Sequence, residues 1–120
     1  MKQFSYGDIH ILVRRATVRD GHHATAISNK AQSGAPDGEW GTWDLFGELC
    51  ASVQKCKGLS FDPKTLADAK DTDVQAAYKT YEGFDKEFKL LWVAAYKEAN
   101  APSGKASEIV TVEDEANLNW

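Results

Sequence analysis

A stripe of apolar residues late in the chain sets the first constraint. Val74, Ala77, Tyr78, Tyr81, Phe84, Phe88, Leu91, Trp92 and Ala95 recur at steps of three and four. That spacing lines them along one face of an α-helix, and such a face needs a core to receive it. Asp71, Thr72 or Asp73 offers an N-cap, and Asn100-Ala101-Pro102 is a stop signal. The spacing therefore predicts one long helix running to about Asn100. Gly83 interrupts the stripe and marks a kink or a close helix approach.

A second amphipathic helix is expected over residues 43–57, WDLFGELCASVQKCK, with Thr42 as N-cap and Gly58 just past its end. Leu45, Phe46, Leu49, Val53 and Cys56 follow helical spacing. Both cysteines, Cys50 and Cys56, fall on that helix. Six residues separate them by about 9 Å along the axis, too far for a disulfide. Free buried thiols are the expectation.

The N-terminal part reads differently. Ile9, Ile11 and Val13 alternate with His10, Leu12 and Arg14, the pattern of a strand over residues 8–16. Phe4 and Tyr6 suggest a partner strand, with Gly7-Asp8 as the bend. Thr17 through Asp20 resembles a capping box opening a helix over about 18–32. Residues 33–41, SGAPDGEWG, read as a loop, and Asp62-Pro63 with Leu66 as a short helical turn. The expected fold class is mainly α. It is a small helical domain over residues 1–102 with a short N-terminal strand or hairpin, followed by a flexible acidic tail over 103–120.

With 120 residues the chain suits a single domain. Its formal net charge is -4. Residues 1–33 are basic through Lys2, Arg14, Arg15, Arg19 and Lys30, while 103–120 carry Glu108, Glu113, Asp114 and Glu115 against Lys105 alone. The overall balance argues against a nucleic-acid partner, and no apolar run reaches the length of a membrane span. No continuous apolar stretch opens the chain, so no secretory leader is expected. His22 and His23 are adjacent and diverge by about 100° on a helix, and Cys50 and Cys56 lack zinc spacing. No metal, no cofactor, no nucleophile motif and no phosphate loop is expected, hence no enzyme. What remains is a protein-binding surface. The candidate partner contacts are Arg14, Arg15 and Arg19 by charge, and Trp40, Trp43, Phe46, Phe84 and Trp92 by aromaticity.

The run IHILVRRATVRDG at residues 9–21 resembles the N-terminal signature of tail assembly chaperones of long-tailed bacteriophages, a strand with an R-x-A-T-x-x-D turn leading into a helix. A W-x-L-F helix at 43–46, the GLSFDP…LADA connection at 58–69 and the acidic-aromatic helix at 76–100 with its terminal Asn are similar in style. The resemblance spans residues 8–102. It implies a protein of the infected host's cytoplasm, absent from the mature virion. Such a protein keeps the tape-measure protein soluble until tail-tube subunits polymerise around it. It also implies a longer frameshifted form that recruits the tube protein. The opposed charges of the two ends fit a homo-oligomer. The alternative reading is a structural phage component, a head–tail connector or minor tail protein.

Overall fold

The computed structural model describes residues 1–33 and 42–101. The expected loop around Trp40 and the expected acidic tail with Trp120 lie outside the described residues. The architecture is α+β, which corrects the mainly helical expectation. Three antiparallel strands, β1 (Lys2–Tyr6), β2 (Ile9–Val13) and β3 (Val53–Lys57), pair in the order β1-β2-β3. Four helices accompany them among the described residues: α1 (Val18–Gln32), α2 (Thr42–Ala51), α3 (Asp71–Glu82) and α4 (Lys86–Ala99). A single 3-10 turn at Leu66–Asp68 lies in the connection before α3.

The hairpin expected at the N-terminus is present. Tyr6 pairs with Ile9 across Gly7-Asp8, and Gly7 has φ 59° while Asp8 does not enter the positive-φ region. That is the pattern of a II′ turn, which matches the twist of the strands it joins. α1 also follows the expected bounds and capping box. Thr17 Oγ1 accepts from Asp20 N at 3.2 Å, and Asp20 Oδ2 accepts from Thr17 N at 2.9 Å.

Two helical expectations fail, each for a physical reason. The helix expected over 43–57 stops at Ala51, and residues 53–57 become β3. Val53 and Cys56 fit a helical stripe equally well as a short strand, because five residues hold too little periodicity to separate the two. The decision is tertiary: β2 offers an edge, and Val13 pairs with Val53, Ile11 with Cys56. The long helix expected up to Asn100 is likewise two helices. Gly83 caps α3, its N–H reaching the carbonyls of Lys79 and Thr80, and α4 restarts at Lys86. The stripe reads as continuous because both helices turn the same kind of face to one core.

That core draws on every strand and helix. Ile11, Val13, Ile27, Phe46, Leu49, Val53, Val74, Phe88 and Trp92 are all at most 1% exposed and belong to one cluster. Phe88 stacks on Trp92 at 5.9 Å, and Tyr6 stacks on Phe88 at 5.6 Å, so α4 lies against the hairpin. Asp85, at the head of α4, accepts from the Tyr6 hydroxyl at 2.7 Å. The same bond, with burial adding to it, raises the phenol's pKa.

α1 and α2 approach closely where Gly47 meets Ala24. A Cβ at position 47 would lie 2.4 Å from the Ala24 carbonyl oxygen. Gly21, in contrast, has open space where its Cβ would be. Gly47→Ala is expected to cost about 3 kcal/mol through forced separation of the helices. Gly21→Ala is expected to gain about 0.5–1 kcal/mol from helix propensity. Urea unfolding of the two variants beside the parent measures both.

Candidate docking surface

Arg14 is not part of an exposed basic patch. Its guanidinium turns inward, with Nη1 donating to Val53 O at 2.9 Å and Nη2 donating to Ala51 O at 3.2 Å. Nη2 also pairs with Asp20 Oδ1 at 2.5 Å, and the Asp20 side chain is only 4% exposed. One side chain thus neutralises a buried carboxylate and satisfies a carbonyl that α2 leaves open at its C-terminus. Its backbone N–H donates to Ser52 O at 2.9 Å as well. Two residues on, Ala16 N donates to Asn100 Oδ1 at 2.8 Å, and Asn100 Nδ2 donates to Tyr96 O at 2.9 Å. Arg14, Thr17, Asp20 and Asn100 therefore meet at one junction that joins β2, α1, the α2–β3 turn and the end of α4.

The other candidate contacts divide cleanly. Arg15 and Arg19 are exposed. Trp43, Phe46 and Trp92 are 6%, 0% and 0% exposed, so they are core residues, and a partner docking on the folded surface does not touch them. Phe84 is half-buried, packed on Phe88 at 4.8 Å and on Phe61 at 6.3 Å. Trp40 lies outside the described residues. The apolar surface falls elsewhere: Val18 is 82%, Leu90 57% and Leu91 36% exposed. Leu90 and Leu91 sit side by side on the outer face of α4, one turn before the exposed Ala94. Leu91 belongs to the stripe expected to face the core and is instead partly exposed, while Leu90 stands outside the stripe and is not singled out by spacing. With Trp92 buried, Leu91 lies about 100° round the helix from it and Leu90 about 200°, so both fall toward the solvent side.

A cleft of about 320 Å³ opens between α1, α2 and α4, lined in part by Asp20, Asp44, Glu48 and Tyr96. Its acidic groups are largely engaged. Asp20 binds Arg14, and Asp44 accepts from Ser28 Oγ at 2.5 Å. Tyr96 has its phenol pushed up by burial and then by Glu48. Among the described residues no group of three His, Cys, Asp or Glu side chains is placed to hold a metal ion. No described helix is long and apolar enough to cross a membrane.

Cys50 and Cys56 are free, but they lie on α2 and β3 rather than on one helix. Burial pushes the Cys50 thiol well above its ordinary value and raises Cys56 less, with Asp62 adding to the latter. Protonated thiols are poor nucleophiles. No family model matches the chain, and neither a curated protein nor a solved structure matches it.

Two outcomes follow from this geometry. Arg14→Ala is expected to cost about 3 kcal/mol, since it leaves the Asp20 carboxylate buried without its counter-charge. Arg15→Ala and Arg19→Ala should stay within about 0.5 kcal/mol, as read by denaturant midpoints. Iodoacetamide at pH 8 should label Cys56 slowly and Cys50 only after denaturant is added, as followed by intact mass.

Proposed function

We propose that the chain is a tail assembly chaperone of a long-tailed bacteriophage. It is a non-enzymatic binding protein of the infected cell's cytoplasm that keeps the tape-measure protein soluble until tail-tube subunits polymerise around it, and it is absent from the finished virion. The observation that carries this reading is the junction of Arg14, Thr17, Asp20 and Asn100. These residues carry much of the resemblance: Arg14, Asp20 and Thr17 share one hydrogen-bonded cluster, and Asn100, 86 positions from Arg14, holds the backbone of the intervening Ala16. A motif that organises the whole fold in this way marks a scaffold rather than a reaction centre.

The exposed face of α4 suits the job. A tape-measure protein is long, helical and apolar, and a helix can lay its apolar side along Leu90, Leu91 and Ala94. The contact from one copy is small. Many copies along one extended partner gain strength by repetition while each remains easy to displace. Exposed Arg15 and Arg19 leave basic charge free for acidic residues of a partner, the tape-measure protein or the tube protein recruited through a longer form.

Co-expression with the tape-measure protein of the same genome tests the reading. The tape-measure protein should move to the soluble fraction and co-purify with this chain. Leu90→Glu with Leu91→Glu should lower recovery at least tenfold while the circular dichroism spectrum stays unchanged. An insoluble tape-measure protein beside well-folded chain would overturn the proposal. Detection of the chain in purified virions would instead favour a structural component.

A further inference from the structure

β1 is an edge strand. It pairs with β2 on one side, and no described strand lies on the other. Tyr6 and Ile9 flank the two-residue turn and pair directly. They therefore exchange backbone bonds, and the alternation of an antiparallel ladder turns the N–H and C=O of Gln3 and Ser5 away from β2. Both residues are exposed. Bulges, prolines and unpaired charges commonly protect such an edge. The β1–β2 register is regular from Lys2 to Tyr6, the strand holds no proline, and Lys2 is paired with Glu98. α4 runs beside this edge. Lys2 Nζ lies 3.2 Å from Glu98 Oε2 near one end of the helix, the Phe4 and Phe88 rings are 6.0 Å apart, and the Tyr6 hydroxyl reaches Asp85 at 2.7 Å at the other end. Leu91 stands two turns before Glu98, hence on the same flank, and it is 36% exposed. Outward backbone groups and a partly exposed leucine thus lie along one side of the molecule.

We infer that a second copy of this chain occupies the β1 edge, with its own β1 antiparallel to the first about a two-fold axis at Phe4. Gln3 of each copy then faces Ser5 of the other and exchanges both backbone bonds with it, and the two three-stranded sheets join into one. Such an interface is isologous and closes at two copies. The charges agree with this pairing. Lys2 comes opposite Tyr6 of the second copy, whose hydroxyl holds Asp85. Its ammonium therefore lies between Glu98 of its own chain and Asp85 of the other. The same axis places both α4 helices on one face of the joined sheet, with their Leu91 flanks turned toward each other. Leu90 lies about 100° further round the helix and stays open. The inference concerns the chain alone, is independent of the chaperone reading and survives its failure.

Sedimentation equilibrium of the full chain across protein concentration tests it. The mass should rise from 13.2 kDa toward twice that value, and amide exchange at Gln3 and Ser5 should slow over the same range. Ser5→Pro removes an outward N–H and leaves the β1–β2 backbone bonds in place. Leu91→Glu puts a charge on the helix flank without entering the core. Each should weaken association by about tenfold or more with an unchanged circular dichroism spectrum, while Leu90→Glu should associate like the parent. A parent mass held at 13.2 kDa up to about 1 mM would overturn the inference. Folded Ser5→Pro that associates as tightly as the parent would overturn it too. Loss of the dimer in Leu90→Glu, with Leu91→Glu unaffected, would instead place the contact on the outer face of α4 and sink the edge pairing.

Discussion

The fold depends on what the guanidinium of Arg14 holds. A buried carboxylate is costly without a partner, and Asp20 is buried because it must cap α1 from inside the junction. Arg14 supplies the countercharge, and its remaining donors reach Ala51 O and Val53 O. Those carbonyls stand where α2 gives way to β3. The same side chain therefore fixes where a helix starts, where another ends and which strand joins the sheet. A lysine carries one point charge and lacks the planar fork, so it could not serve all three acceptors in this geometry.

Around that junction the aromatic residues set the relative placement of hairpin and helices. Phe4, Tyr6, Phe88 and Trp92 form a continuous set of ring contacts from β1 into α4. Phe46 extends it through Tyr81 and Tyr78 to Trp43. The packing has a cost. The indole N–H groups of Trp43 and Trp92 are buried without a hydrogen-bond partner, at about 1–3 kcal/mol each. The burial of both large rings outweighs it. Among the described residues the aromatic rings are buried or partly buried in the interior, and the large apolar side chains left exposed are Val18, Leu90 and Leu91.

Much of the fold was legible locally. The hairpin follows from alternation plus Gly7, and α1 follows from Thr17 and Asp20, because turn and cap chemistry act over four or five residues and leave their marks in sequence. The candidate surface was much less legible. Charge suggested three arginines as equals, yet Arg14 is internal because its partner Asp20 lies one helical turn past a bend. Aromaticity suggested Trp43, Phe46 and Trp92, and size alone does not reveal which rings a core admits. Leu91 escaped because it sits at the edge of the apolar stripe, and Leu90 because it lies outside that stripe, and spacing alone does not say how far round a helix the core extends.

By itself the sequence determined the period of each segment and the chemistry of its ends, since both arise from contacts between near neighbours along the chain. It settled the N-terminal hairpin, the cap of α1 and the demand for one large aromatic core. Only the tertiary structure decided that residues 53–57 are a strand, that the late stripe is two helices, and that the fold is α+β rather than mainly helical. Those outcomes turn on partners far away in sequence: the open edge of β2, the reach of Arg14 to Ala51 and Val53, and the Tyr6–Asp85 bond beside the break. A periodicity records which face is apolar; it carries no record of what that face will meet.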